Sequence, residues 1–145
     1  AGITFDTSDA FARGTCLMLA LGRLGCAARH CCFGVEAPAW AGWDLGDGVQ
    51  RLPVQFVEAA AVFALFLFLH HLHRHGLARN RRLFVFFLGY GLIRFSLEFL
   101  REQYAGGWLG LGFYQWLALV AVVVGAFQIV KRTPRAAPEC EGAAA

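Results

Sequence analysis

The chain has 145 residues, 58% of them hydrophobic and 14 of them Phe, with a formal net charge of +3. A mean hydropathy of +0.52 leaves more apolar surface than one soluble domain of this length buries, which excludes an ordinary soluble globule and points to a polytopic membrane protein. The basic residues gather at the ends of apolar runs and the aromatics lie inside them; a nucleic-acid partner is excluded, because it needs a basic face interleaved with exposed rings.

Residues 1–9 carry Asp6 and Asp9 without a basic leader, so no signal peptide is expected there, and an initial Ala fits a chain that begins inside a longer polypeptide. The first apolar segment, residues 10–28, is interrupted by Arg13 and Arg23. Its end runs into a stretch holding Arg23, Cys26, Arg29, His30, Cys31 and Cys32. The guanidinium fork matches the oxygens of a phosphate, so Arg23 and Arg29 suit an anionic headgroup. Snorkelling to the headgroup layer is the competing reading for Arg23. The three thiols read as small apolar packing residues. Their spacing with His30 is not the repeated CxxC of a zinc site, so neither a metal nor a cofactor is expected. A thiol or metal role requires the three sulfurs to converge within about 4 Å of a common centre, or to pair as disulfides.

The second segment, residues 53–72, approaches the roughly 20 apolar residues of a span. Pro53 suits the first helical turn, where its missing N–H would be unpaired anyway. Gln55 and Glu58 lie in that turn, and Glu58 has two readings: complement to the helix dipole, or part of a polar site. Residues 70–82 form a basic connection with four histidines, expected to be a solvated cytoplasmic loop. Lys131, Arg132 and Arg135 end the last segment and belong on the same side, which an even number of crossings permits. Residues 35–52 and 103–112 then face the opposite side, with Trp40, Trp43, Tyr104 and Trp108 as interfacial anchors.

The third segment, residues 83–100, carries the most informative residues. At helical pitch Tyr90, Arg94 and Glu98 share one face over roughly 12 Å. A charge at mid-membrane costs roughly 2.5 to 3.5 kcal/mol upward, so an arginine and a carboxylate there mark a functional site unless they form a structural pair. The fourth segment, residues 113–130, opens with Gln115, which either donates to a headgroup or caps the helix. Each backbone group in a span must be satisfied within its own segment, so the expected fold is all-α: a polytopic transmembrane bundle of about four spans. Residues 1–133 form the expected single transmembrane domain and residues 134–145 a disordered cytoplasmic tail. No Ser-His-Asp arrangement or phosphate-cradling glycine loop is present.

Several elements, in order, resemble the prolipoprotein diacylglyceryl transferase family: Gly22-Arg23-Leu-Gly25 followed by Gly34; Leu52-Pro53-Val-Gln55-Phe-Val-Glu58-Ala59; Tyr90-Gly91-Leu-Ile-Arg94-Phe-Ser-Leu-Glu98-Phe-Leu-Arg101; and Gln115-Trp116. The tyrosine-to-arginine string is the most specific of them. Where family members usually hold Asn and then an acidic residue after the first element, this chain holds Cys26 and Cys31, which resembles a divergent Cys-Cys-x-Gly branch.

The resemblance implies a multi-pass enzyme of the bacterial inner membrane, with its C-terminus cytoplasmic. It implies transfer of the diacylglyceryl group of phosphatidylglycerol to the lipobox cysteine of a prolipoprotein, whose signal-peptide segment is the second partner. By motif position Arg94, Glu98 and Tyr90 are the catalytic set, and Arg23, Arg94, Gln55, Glu58 and Gln115 the headgroup-binding set. The family's amino-terminal spans, with a His-Gly element, have no counterpart here, so they would be supplied by another chain or by a missing portion. The alternative is a non-catalytic module that binds anionic lipid or a partner span, with Arg94 and Glu98 merely paired.

Overall fold

The computed structural model describes residues 7–44, 48–79, 81–101 and 108–131. Tyr104 and the expected tail at residues 134–145 lie outside them. Among the described residues the chain forms four α-helices, α1 (Thr7–Ala28), α2 (Val54–Arg74), α3 (Arg82–Glu98) and α4 (Phe113–Lys131), with a two-residue pair of strands, β1 (Trp43–Asp44) and β2 (Gln50–Arg51), between α1 and α2. The fold class is the all-α membrane bundle expected from the sequence. α2 and α4 are long and apolar enough to cross a membrane by themselves. α1 instead carries Asp9, Arg13 and Arg23, and α3 is 17 residues long with Arg82, Arg94 and Glu98 along it.

The burial pattern explains the packing. On α1, Asp9, Ala12, Cys16 and Ala20 recur at three- and four-residue intervals and are buried as one stripe. α2 answers with Glu58, Val62, Leu65 and Leu69 at the same period. The core joins these two faces to Phe86 of α3. Small residues on α1 let α2 come close, the usual device where no hydrophobic driving force separates helix from lipid. The outward faces, including Phe63, Leu67 and Phe68 of α2 and Val120, Val123 and Phe127 of α4, stay exposed and suit hydrocarbon.

α4 packs on α3 alone, and the described residues show no packing of α4 on α1 or α2. Glycine sets that contact. A Cβ at Gly91 would lie 2.8 Å from the Ala118 carbonyl oxygen, and one at Gly125 would lie 2.8 Å from that of Phe84. The register, Gly91 against Ala118 and Gly125 against Phe84, makes the two helices antiparallel.

The two ends of the bundle are built differently. At one end α2 runs on through His70, His71, His73 and Arg74, so the connection to α3 is shorter than the sequence suggests. Arg82, expected in a solvated loop, is instead buried: its Nη1 donates to Asp9 Oδ2 at 2.9 Å and its Nε to the Leu77 carbonyl at 3.0 Å. The reason is tertiary, because the buried acceptor comes from a helix 73 residues away in sequence. At the other end, the described residues 29–44 and 48–53 form short β bridges. Gly34 N–H donates to the Leu52 carbonyl and Val35 N–H to the Leu100 carbonyl, each at 3.0 Å, which ties this segment to the end of α3.

Candidate functional site

Glu58 organises the site. Pro53, at the N-cap of α2 with φ −79° and ψ 62°, starts the helix so that Glu58 falls on the buried stripe facing α1 and α3. Its side chain is 2% exposed, and its two oxygens meet two arginines. Arg23 Nε from α1 lies 2.9 Å from Oε1, an ion pair without the alignment of a hydrogen bond. Arg94 Nη1 from α3 lies 3.5 Å from Oε2. Arg94 Nη2 pairs with Glu98 Oε2 at 3.1 Å along its own helix, and Arg101 Nη1 approaches the same oxygen at 3.8 Å. The result is a chain of alternating charge, Arg23, Glu58, Arg94, Glu98, Arg101, drawn from three helices and the segment after α3. Each carboxylate is shared by two cations, so the net charge of the chain is positive.

Beside it lies a cavity of about 280 Å³. Arg23, Tyr90, Gly91 and Arg94 form one wall; Tyr114, Leu117, Ala118 and Ala121 of α4 form the other. Because α1 and α4 do not pack together, α3 is the floor of a cleft between them. The Arg94 guanidinium lies 5.4 Å from the centre of the Tyr114 ring, a cation–π distance. Tyr90 stacks on Phe86 at 5.6 Å between centroids, which fixes its ring at the cavity edge. The chemistry on offer is two arginines at one end of a pocket whose remaining walls are mostly apolar, which fits an anionic head carrying hydrocarbon chains.

The structure therefore brings together Arg23, Glu58, Tyr90 and Arg94, with Glu98 behind Arg94 and outside the cavity lining. Gln55 and Gln115 lie elsewhere. Gln55 Nε2 donates to the Cys31 carbonyl at 2.7 Å and lines a second cavity of about 260 Å³ with His30, Trp43 and Asp44. Gln115 is fully buried, and its Oε1 accepts the Gly112 N–H at 2.8 Å, which secures the start of α4. Tyr114 is a cavity residue that sequence reasoning missed. Its signal was available, an amphipathic ring at the mouth of a span, but nothing local ties it to an arginine 20 positions earlier.

At the end of α1 the backbone turns through His30 at φ 52° and Cys32 at φ 65°. These left-handed residues fold Cys31 and Cys32 back onto Cys26, and the three sulfurs lie within 4.8 Å of one another. Cys31 Sγ donates to the Cys26 carbonyl at 3.4 Å. Hydrogen bonding with Cys32, with a smaller contribution from burial, holds the Cys31 thiol above its ordinary pKa. All three thiols are free.

Comparison with known proteins gives concordant results. The family model described as prolipoprotein diacylglyceryl transferase matches residues 3–131. The chain is 26% identical over 126 residues to phosphatidylglycerol–prolipoprotein diacylglyceryl transferase 2 of Clostridium perfringens (strain 13 / Type A), covering 83% of this chain and 49% of that protein. It is 36% identical over 91 residues to the phosphatidylglycerol–prolipoprotein diacylglyceryl transferase of Cupriavidus metallidurans (strain ATCC 43123 / DSM 2839 / NBRC 102507 / CH34), covering 59% of this chain and 33% of that protein. The chain thus spans about half or less of the length of these curated relatives. No solved structure matches it significantly. With the family model covering both arginines, both carboxylates and all four helices, the chain belongs to the prolipoprotein diacylglyceryl transferase family.

Proposed function

We propose that this chain supplies the headgroup site of a phosphatidylglycerol–prolipoprotein diacylglyceryl transferase and takes part in lipoprotein biosynthesis at the bacterial inner membrane. The observation that carries the reading is the cleft between α1 and α4, where Arg23 and Arg94 converge on one largely apolar cavity. Phosphatidylglycerol matches it in kind: a phosphate for the guanidinium groups and acyl chains for the cleft. The names of the relatives support the same lipid and a prolipoprotein acceptor. The clustering of Arg74, Arg82 and Lys131 at one pole supports a cytoplasmic location for that pole and for the C-terminus.

In the transfer, a carbon–sulfur bond forms to the lipobox cysteine as the carbon–oxygen bond to the phosphate breaks. The thiol proton goes to a base and glycerol phosphate departs. Arg23 and Arg94 bind the phosphate and neutralise the charge that develops on it, which donors already in place accomplish at low cost of reorganisation. Glu58 and Glu98 are positioning residues that hold the two guanidinium groups in place, and Tyr90 closes the edge of the cavity against the headgroup. One observation favours a second reading, a lipid-binding module without catalysis: Arg94 already has two carboxylate partners.

The test is a transfer assay in membranes depleted of the host's own enzyme, with labelled phosphatidylglycerol, a lipobox peptide, and the chain as wild type and as Arg94→Ala. Label on the peptide cysteine with wild type alone is the expected outcome. Lipid binding without transfer supports the module instead, and lipid binding unaffected by Arg94→Ala sinks the headgroup site on which the transferase reading rests.

A further inference from the structure

We propose that Cys26, Cys31 and Cys32 form a three-thiolate site for a soft monovalent cation of the Cu(I) type, at the pole of the bundle away from the His-rich turn. The spacing of these cysteines in sequence is not that of a metal site; their arrangement in space is. Three sulfurs that all lie within 4.8 Å of one another share a point no more than about 2.8 Å from each, so shifts of roughly half an ångström reach a metal–thiolate bond of about 2.3 Å.

Four features support a built site. The two left-handed residues, His30 and Cys32, flank Cys31 and turn the loop back onto Cys26, a conformation only a few per cent of non-glycine residues adopt. The turn is held from outside by Gln55 Nε2, which donates to the Cys31 carbonyl at 2.7 Å and so anchors the ligand loop to α2. Cys26 sits on the last turns of α1, a rigid element, while Cys31 and Cys32 come from the loop, so one fixed and two adjustable ligands face each other. Access is open, since Cys32 is at the surface.

The donor set selects the ion. Thiolates favour Cu(I), zinc and iron–sulfur chemistry over harder cations. Among the described residues no His, Asp or Glu joins the three sulfurs to complete a tetrahedron, which zinc takes in structural sites. Three thiolates alone suit a soft monovalent ion that accepts trigonal coordination. None of the three cysteines lines the arginine cavity, and the site does not depend on the transferase reading.

The experiment uses the full chain in lipid nanodiscs under anaerobic reducing conditions, in a Cys140→Ser background. Cu(I) is delivered from a chromogenic Cu(I) chelator, and the bound metal is read by chelator competition and by the near-ultraviolet sulfur-to-metal band. The expected result is one Cu(I) per chain, with affinity lowered more than about 100-fold by Cys26→Ser, Cys31→Ser or Cys32→Ser and unchanged by Cys16→Ala. Unchanged affinity in the Cys32→Ser variant, preference for Zn(II), or a Cys31–Cys32 disulfide that persists under the reductant overturns the proposal. Peptide-resolved maleimide labelling gives a second readout that does not depend on the variants. Cu(I) should protect all three thiols from alkylation, and equal labelling with and without the metal contradicts the site.

Discussion

Arg82 and Arg94 are both buried arginines on α3, one at each end of the helix, and each meets a carboxylate from another helix. Their surroundings differ. Arg82 spends its donors on protein: Asp9, His73, and the carbonyls of Leu77 and Leu72. It lines neither the arginine cavity nor the cavity beside Gln55. Arg94 shares Glu58 with Arg23, lies over the Tyr114 ring, and forms part of a cavity wall. A buried arginine whose fork is filled by backbone carbonyls locks helices together; one whose face borders a cavity is placed to meet a ligand. The same residue type thus serves structure at one end of α3 and, in our reading, binding at the other.

The largest expected effects test that contrast directly. Removing one partner of a buried pair costs about 3–5 kcal/mol, so Arg82→Ala and Arg94→Ala should both lower the unfolding midpoint in detergent by a similar amount. Only Arg94→Ala should also abolish phosphatidylglycerol binding by the folded fraction. Equal loss of binding in both variants would erase the distinction. Glu58→Gln removes the charge that two arginines share and keeps the shape. It should destabilise by about 1–3 kcal/mol, the cost of an unmet buried group, and loosen Arg23 and Arg94 together, seen as weaker lipid binding.

Overpacking the helix contact comes next. Gly125→Leu should force α4 off α3, costing about 1–3 kcal/mol and widening the cleft, which crosslinking between α3 and α4 would report as a longer span. The smallest effect belongs to Tyr114→Leu. It removes a cation–π contact of about 0.5–2 kcal/mol while keeping an apolar wall, so the unfolding free energy should fall by no more than that and lipid affinity only several-fold. A hundredfold loss would instead make Tyr114 a direct headgroup ligand.

Much of this was legible in the chain. The four helices fall close to the four apolar runs because a helix satisfies its backbone groups within its own segment, a constraint local in sequence. The pairing of Arg94 with Glu98 follows from helical pitch for the same reason. Glu58 was legible only as ambiguous. Its position near the helix start fitted a dipole complement, and the two arginines that claim it come from helices 35 positions before and 36 after. Arg82 misled, since a run of basic residues looks alike whether solvated or turned inward onto Asp9. Gln55 and Gln115 share their apolar context with the arginines, yet one anchors a loop and the other secures a helix start.

Sequence by itself determined what is set by neighbours along one helix: the membrane character, the helical segments, and the Tyr90, Arg94, Glu98 face. Tertiary structure decided what depends on which helix lies opposite. It put Arg23 and Arg94 on one carboxylate, set Tyr114 beneath the guanidinium, and left α1 and α4 apart so that a cleft remains. It also gathered three thiols whose spacing is not that of a metal site, because convergence is a property of a turn, here two left-handed residues around Cys31, and not of an interval between residues.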